Sequence, residues 1–307
     1  MQGFETILNK IIYLAIMLAI GFVCEKTHYV ERLGPRISQI VKNITLPLLI
    51  LTTVSSQTSA GNTGADIVVV IVMCICVVAA GFLLGSLTAK IFEMGPKKRN
   101  VHVCMSAFGN VIFLGYPLCQ ALYGDEGLFF AVFYALANDC FVWTLGVRMF
   151  SGEKGLSGLK KLVNPCTAAF AAALLMRAFS LRFPLVFAES FGAIGSATTP
   201  LSMLFIGSTL AIVRPSEALK NVPIYILTAV KMLIIPILLL LLLPHGLISA
   251  AARGVLVLEA AMPGQVVLAI LASEYKLDSA YAAQVIFITT LFSLFTLPLV
   301  YSLIQII

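Results

Sequence analysis

The sequence predicts an all-α integral membrane protein whose ten transmembrane helices form two inverted repeats of five. Three observations lead to this prediction: the composition is strongly apolar, ten apolar runs are long enough to cross a bilayer, and the two halves share short sequence elements. Of the 307 residues, 60% are hydrophobic and 11% are charged, and the mean hydropathy is +1.02. Soluble domains carry about 25% charged residues, so an ordinary water-soluble globule is excluded.

Ten apolar runs are bounded by charged residues, proline or glycine, and each could cross a bilayer as a helix of about 20 residues. We number them spans 1 to 10; they cover residues 7–24, 36–54, 66–92, 101–123, 127–150, 163–182, 187–212, 222–244, 250–273 and 279–304. They lack the alternating pattern of barrel strands, and lipid offers no hydrogen-bond partners to irregular backbone. A helical bundle without a sizeable soluble domain is therefore predicted.

The two halves of the chain resemble each other at a shift of about 153 residues. The sequence TLPL at 45–48 in span 2 corresponds to TTPL at 198–201 in span 7. Because each half contains an odd number of spans, the second half enters the membrane inverted, which is common in secondary transporters. The predicted domains are a first repeat at 1–150, a short cytoplasmic linker at 151–162 and a second repeat at 163–307.

Basic residues predict the orientation of the bundle. Fifteen Lys and Arg residues fall in the odd-numbered loops, whereas four fall on the opposite side. Since cytoplasmic loops are enriched in Lys and Arg, the odd-numbered loops are expected in the cytoplasm and both termini outside. The net charge of +6 is then explained by the basic cytoplasmic loops of a multi-pass protein in a lipid bilayer. A bacterial inner membrane is favoured, and no nucleic acid is expected as a partner.

Spans 4 and 9 each carry proline and glycine near their middle. Proline removes a backbone donor and glycine loosens the helix, so both spans are predicted to be interrupted. Paired interruptions in matching spans point to the binding site of a transporter, although a pair of simple kinks is the alternative. The candidate substrate-binding residues are Asn110, Val111, Gly115, Pro117, Pro263, Gly264 and Gln265, with the hydroxyl-bearing Thr45, Thr198 and Ser202 from spans 2 and 7.

Three ionisable residues lie deep within predicted spans and cannot be assigned to a loop, and groups in such places are costly and therefore candidates for function. Glu259, one helical turn before Pro263, is interpreted as a cation or proton site, with an ion pair to Lys231 as the alternative. Asp139 is either a second coupling carboxylate or a packing residue. For Lys231 itself an ion pair is favoured over attraction of the substrate.

Neither a cofactor nor a metal is expected. The seven cysteines form no CxxC pair, and no histidine cluster accompanies them. Nucleotide-binding motifs and the HExxH and GxSxG motifs of enzymes are absent from the sequence. His28 and His102 are expected on the solvated cytoplasmic surface.

Six segments resemble the membrane domain of the auxin efflux carrier family, which includes plant auxin exporters and bacterial organic-anion carriers. They are NITLPLL at 43–49, FGNVIFLGYPL at 108–118, LYGDEG at 122–127, LVNPCTAA at 162–169, TTPLSMLFIGSTLA at 198–211 and AAMPGQVVLAILASEY at 260–275. The resemblance implies that spans 4 and 9 cross, that spans 1, 2, 6 and 7 form a scaffold, and that spans 3–5 and 8–10 form a moving transport domain. It matches Asn110 to an asparagine that holds the substrate carboxylate. The long hydrophilic middle loop of the plant proteins is replaced here by residues 151–162.

The sequence thus predicts a secondary transporter of small organic anions, such as mono- or dicarboxylates or auxin-like molecules, rather than an enzyme. Transport would proceed by alternating access, with the site at the crossing of spans 4 and 9 and energy from a gradient of substrate, proton or sodium. A sodium-coupled organic-anion symporter of the bile-acid-carrier type is the main alternative. A membrane-embedded enzyme and a sensor are weaker alternatives, and the sequence leaves open whether the protein is a homodimer.

Overall fold

The structure is a computed structural model that describes residues 2–29, 33–56, 63–152, 157–244 and 246–307. Regular secondary structure in these ranges is helical. The α-helices are α1 Gln2–Lys26, α2 Leu33–Ile40, α3 Leu46–Ser56, α4 Thr63–Ile91, α5 Pro96–Ala107, α6 Tyr116–Phe141, α7 Val147–Ser151, α8 Pro165–Ala178, α9 Leu185–Ser196, α10 Thr198–Ala211, α11 Pro215–Ala218, α12 Val222–Ala229, α13 Ile235–Leu242, α14 Ala250–Ala260, α15 Val266–Glu274 and α16 Ser279–Ile306. Short π-helical turns at 41–45, 111–115, 142–146 and 230–234 join several of them. Part of the predicted linker, 153–156, lies outside the described residues.

Six helical stretches in the described ranges are long and apolar enough to cross a membrane: Leu33–Ser56, Gly64–Ile91, Val111–Ser151, Leu185–Ala211, Val222–Leu242 and Ser279–Ile306. Large apolar side chains stay exposed along them, for example Leu83, Leu87 and Ile91 on α4. A helix that is apolar on all sides fits a lipid environment. The protein is therefore a multi-pass membrane protein built of helices.

The stretch Val111–Ser151 has 41 residues and would reach about 60 Å if straight, twice the hydrocarbon thickness of a bilayer. It turns back at Gly124, whose φ of 64° and ψ of −151° are not helical. A Cβ on Gly127 would lie 2.4 Å from the carbonyl oxygen of Cys119, which an unbroken helix would place two turns away. The reversal falls where the sequence separates spans 4 and 5.

Glycines allow close contact between the packed helices. Helix α1 packs along α10, where a Cβ on Gly207 would lie 2.0 Å from the carbonyl oxygen of Leu18. Helix α4 packs on α5 in the same manner, since a Cβ on Gly81 would lie 2.5 Å from the Cα of Ala107. Backbones this close leave no room for a larger residue, so these positions fix how near the helices stand.

Two helices are interrupted in the interior of the bundle, as the sequence predicts for spans 4 and 9. Helix α5 ends at Ala107, and Phe108 is extended (φ −105°, ψ 129°) before the chain re-enters a helix at Val111. Helix α14 ends at Ala260 and α15 begins at Val266. The residues between the helical pieces are buried, so their backbone groups must find partners within the protein.

Candidate functional site

The two interruptions lie directly against each other. The backbone N–H of Asn110 donates to the carbonyl oxygen of Pro263 over 2.8 Å, and Gly109 and Gly264 form an antiparallel bridge. The N–H of Gly264 donates to Thr289 Oγ1 over 3.0 Å. The backbone N–H groups freed at the two interruptions thus find acceptors in the opposite interruption and in Thr289 of α16. These hydrogen bonds explain how irregular backbone is tolerated inside the bundle.

A cavity of about 370 Å³ opens beside this contact. This volume lies in the range of sites for small molecules. Its lining residues come from α3, α6, α8, α15 and the turns beside them: Lys42, Asn43, Leu46, Ile50, Asn110, Ile112, Phe113, Tyr116, Val132, Ala135, Leu136, Asp139, Trp143, Lys161, Asn164, Pro165, Cys166, Thr167, Phe170, Gln265 and Val267. Most of this surface is apolar, and the polar groups are few.

One amide from each interruption reaches the cavity. The side chains of Asn110 and Gln265 are 2% and 5% exposed. Within the described residues, Asn110 Nδ2 and Gln265 Oε1 have no hydrogen-bond partner. Buried polar groups are nearly always paired, so an unpaired donor and an unpaired acceptor in a cavity are suited to a polar ligand.

A cation and a carboxylate face each other across the same cavity. Lys42, in the π-helical turn 41–45, and Asp139, on α6, interact electrostatically. The side chain of Gln265 lies beside the Asp139 carboxylate, and Lys42 Nζ stands 5.6 Å from the centre of the Phe113 ring. Lys42 is one of the fifteen basic residues counted on the cytoplasmic side, because a lysine near the end of an apolar run is typical of a flank. Its helix continues through the π-helical turn and carries the side chain into the cavity.

The N-terminus of α8 closes one edge of the cavity. Asn164 caps this helix by accepting hydrogen bonds from the backbone N–H groups of Cys166 and Thr167, at 2.9 and 3.2 Å. Lys161 Nζ lies 3.7 Å from Glu274 Oε1 and 5.3 Å from the centre of the Trp143 ring. These residues were not predicted from the sequence as cavity lining. The Asn-Pro pair is a typical start of a helix and therefore indicates the cap. It does not indicate that this helix begins beside the cavity.

The other predicted substrate-binding residues do not line the cavity. Val111, Gly115 and Pro117 form the start of the second helical piece of span 4, and Pro263 and Gly264 form the break of span 9. Three predicted hydroxyl-bearing residues are buried with oxygens that lack a partner in the described structure: Thr45, Thr198 and Ser202. Of the ten predicted positions, Asn110 and Gln265 line the cavity.

Glu259 is buried against the second helical piece of span 4 and does not line the cavity. It is 1% exposed, and Cys119 Sγ donates to its Oε1 over 3.6 Å. A Cβ on Gly115 would lie 2.3 Å from its Oε2, and this oxygen has no partner among the described residues. Glycine at 115 therefore makes room for the carboxylate.

The ion pair considered for Lys231 is not formed. The ion pairs in the described ranges are Lys161–Glu274 and Arg214–Glu217. Lys231 Nζ instead donates to the backbone carbonyl oxygen of Ser106 over 3.3 Å. A carbonyl at the end of α5 has replaced the expected carboxylate partner.

His102 is not on the solvated surface, contrary to the sequence-based expectation. It is fully buried, its Nε2 lies 2.8 Å from Thr88 Oγ1, and its Nδ1 lies 2.7 Å from the hydroxyl of Tyr281. The expectation was wrong because α5 begins at Pro96, several residues before the predicted span, which places His102 in its second turn. His28 is exposed.

Comparison with known proteins identifies the family of this chain. The chain matches the family described as membrane transport protein over residues 6–157 and 153–301. It belongs to this family, the auxin efflux carrier-like family. An uncharacterized transporter of Methanocaldococcus jannaschii is 26% identical over 302 residues, covering 95% of this chain and 97% of the relative. An uncharacterized transporter of Methanothermobacter thermautotrophicus is 27% identical over 317 residues, covering 97% of each chain.

This membrane transport protein has a second cavity, of about 570 Å³, at the opposite end of α3. Thr52, Ser56, Gln120, Asp125 and Arg182 are among its lining residues. Leu46 and Ile50 of α3 line the first cavity, whereas Leu49 and Thr52 of the same helix line the second. The two cavities therefore meet α3 at neighbouring, partly overlapping turns.

Proposed function

We propose that this chain is a secondary transporter that moves small organic anions, mono- or dicarboxylates, across the cell membrane. The observation that carries the proposal is the unpaired, buried amide donor of Asn110 in a cavity that also contains Lys42. A carboxylate that enters a buried site loses its hydration and requires donors and positive charge in exchange. The resemblance to the auxin efflux carriers supports this choice, since it implies a carboxylate-binding role for the same asparagine.

In the proposed complex, the carboxylate accepts a hydrogen bond from Asn110 Nδ2 and is attracted by Lys42. Helix α15 begins directly after Gln265 without a side-chain cap, and helix N-termini carry partial positive charge that favours anions. The apolar part of the substrate would lie on the aromatic walls formed by Phe113 and Trp143. Asp139 would keep Lys42 in place and repel a poorly aligned second carboxylate.

We infer that the protein works by alternating access. In this proposal ten spans form a five-plus-five inverted repeat, with spans 1, 2, 6 and 7 as the scaffold and spans 3–5 and 8–10 as the transport domain. The two cavities support it, since residues on neighbouring turns of α3 line both of them. The first cavity contains Lys42 and Lys161 from the basic, cytoplasmic side, so the present conformation is proposed to face inward with both termini outside.

A coupling ion would use one of the buried carboxylates. Glu259 has an unpaired oxygen beside the interruption, and Asp139 lies in the cavity itself. A proton would bind either carboxylate directly. A sodium ion, as in the alternative of a bile-acid-carrier type symporter, would need further oxygen ligands, which Gln265 and backbone carbonyls of the interruption could provide.

The decisive experiment is uptake of radiolabelled mono- and dicarboxylates into proteoliposomes that contain the purified protein. Asn110→Ala should weaken binding by roughly 1–3 kcal/mol, or about 5- to 150-fold, because a hydrogen bond to a charged group is lost. Asn9→Ala, the same change at an exposed position of α1, is the matched control and should retain the affinity. Unchanged affinity in a folded Asn110→Ala protein would reject the site.

A further inference from the structure

Lys231 has an unusual position for a charged residue. It lies in the π-helical turn Val230–Ile234, in the middle of predicted span 8, and is 3% exposed. Its one hydrogen-bond partner in the described part of the chain is the carbonyl oxygen of Ser106, at 3.3 Å. Burying an ammonium without a carboxylate partner is costly inside a membrane. The contact with the carbonyl oxygen of Ser106 offsets part of this cost.

The carbonyl of Ser106 is free because span 4 is interrupted. In a continuous helix the N–H of residue 110 donates to the carbonyl of residue 106. Here the N–H of Asn110 donates to Pro263 instead, and α5 ends at Ala107. The N–H of Asn110 is used at the other interruption, and the ammonium of Lys231 donates to the carbonyl of Ser106 in its place.

The end of α5 also offers electrostatic compensation. The last carbonyls of a helix carry partial negative charge, which favours a cation nearby. Gly81 of α4 allows this approach, since a Cβ there would lie 2.8 Å from the carbonyl oxygen of Ser106. The ammonium of Lys231 therefore lies at the C-terminal end of α5, where the helix carries partial negative charge.

We propose that Lys231 is a resident cation that caps α5 and thereby holds Asn110 in its binding position. The positive charge is essential to this role, because it neutralises the end of the half-helix as well as donating a hydrogen bond. Lys231 is a positioning residue: it acts through α5 and does not touch the substrate. This inference rests on the proposed function only in so far as Asn110 binds the carboxylate.

Chemical rescue tests the need for charge. Lys231→Ala should lower the thermal unfolding midpoint of the detergent-solubilised protein by several degrees. n-Propylammonium, which has the shape and charge of the part of the side chain that alanine lacks, should restore at least half of the loss. Propan-1-ol has a similar shape without the charge, and tetramethylammonium has charge without an N–H donor, so neither should restore it. Met232→Ala, a similar truncation at a buried neighbour, is the control and should not respond.

Equal rescue by propan-1-ol would overturn the proposal, because space filling alone would then explain the effect. Lys231→Met provides a second test if the alanine variant fails to fold or excludes the amine. It retains an apolar side chain of similar length, and hydrogen exchange measured by mass spectrometry should be at least tenfold faster in residues 104–112 than in the wild-type protein. Unchanged exchange there would also overturn the proposal. Neither readout uses a substrate, so failure of this inference and failure of the transport proposal can be told apart.

Discussion

Asn110 combines a backbone role with a side-chain role. Its N–H joins the two interruptions by donating to Pro263, and its side-chain amide remains unpaired in the cavity. A substitution of the side chain therefore leaves the backbone contact intact. For this reason Asn110→Ala should affect binding far more than folding.

Glu259 is the residue on which to test coupling. Glu259→Gln removes the charge and retains the shape, so substrate binding should remain near the wild-type level while the dependence of uptake on a proton or sodium gradient disappears. Uptake into proteoliposomes with and without each imposed gradient measures this. The exposed Glu189→Gln is the control. If gradient-driven accumulation persists in Glu259→Gln, the coupling role moves to Asp139.

His102 should contribute to stability through its two side-chain contacts. His102→Leu removes the hydrogen bonds to Thr88 and Tyr281 and should lower the free energy of unfolding by about 1–3 kcal/mol. Tyr281→Phe should be destabilising as well, and the double variant should be less destabilised than the sum by at least about 0.5 kcal/mol. Equilibrium unfolding in mixed micelles provides these values. Additive effects, or an equal loss in His28→Leu, would contradict the buried contact.

Single residues were predictable from the sequence where their chemistry is unusual for their surroundings. Asn110 and Gln265 were identified because amides are rare beside proline and glycine in an apolar run. Lys42 and His102 were misplaced because each lies near the end of a run, and a shift of the helix boundary by a few residues changes the environment from water to protein. Hydropathy does not define boundaries with that accuracy.

At the scale of helices, the interruptions were predictable and the π-helical turns were not. Proline and glycine in the middle of an apolar run indicate an interruption directly. The π-helical turns at 41–45 and 230–234 contain neither proline nor glycine, yet they place Lys42 and Lys231. Pro47 and Pro236 follow these turns, and each lacks the N–H that would bond to a carbonyl inside the turn. A proline alone does not specify whether the helix kinks or widens into a π-helical turn.

The reversal at Gly124 should require glycine. Its φ of 64° and ψ of −151° fall in a region essentially limited to glycine, with a cost of about 1–3 kcal/mol for other residues. Gly124→Asn should therefore lower the thermal unfolding midpoint. Gly152→Asn is the matched control, since its φ of 69° and ψ of 0° lie near the left-handed helical region that asparagine tolerates. Equal effects of the two substitutions would contradict the tight reversal.

At the scale of the whole molecule, charge asymmetry predicts the orientation. Single cysteines introduced at Gly95 and Asp125, both exposed, should differ in their labelling by a membrane-impermeant maleimide added to intact cells. In a background without the seven native cysteines, the cysteine at 125 should react and the one at 95 should react only after permeabilisation, because basic residues favour the cytoplasm. The reverse pattern would reject the proposed topology.

The helical class and the approximate limits of the helices follow from hydropathy alone, but the cavity does not. Its lining combines α3, α6, α8 and both interruptions, which are distant in the chain. Their apposition depends on which glycines allow close approach and on which apolar faces pack, and a single sequence does not specify these pairings. Asn110 and Gln265 were therefore predictable as site residues, whereas the position of Lys42 in the same cavity was not.

The bridge between Gly109 and Gly264 also has a consequence for biosynthesis. The first interruption leaves the ribosome before its partner in the second half of the chain has been translated, a delay on the order of ten seconds at ordinary elongation rates. During this interval the N–H of Asn110 lacks its acceptor. The nascent first half must therefore be sheltered by the insertion machinery, and truncated chains that lack residues after 263 should be targets for membrane quality control.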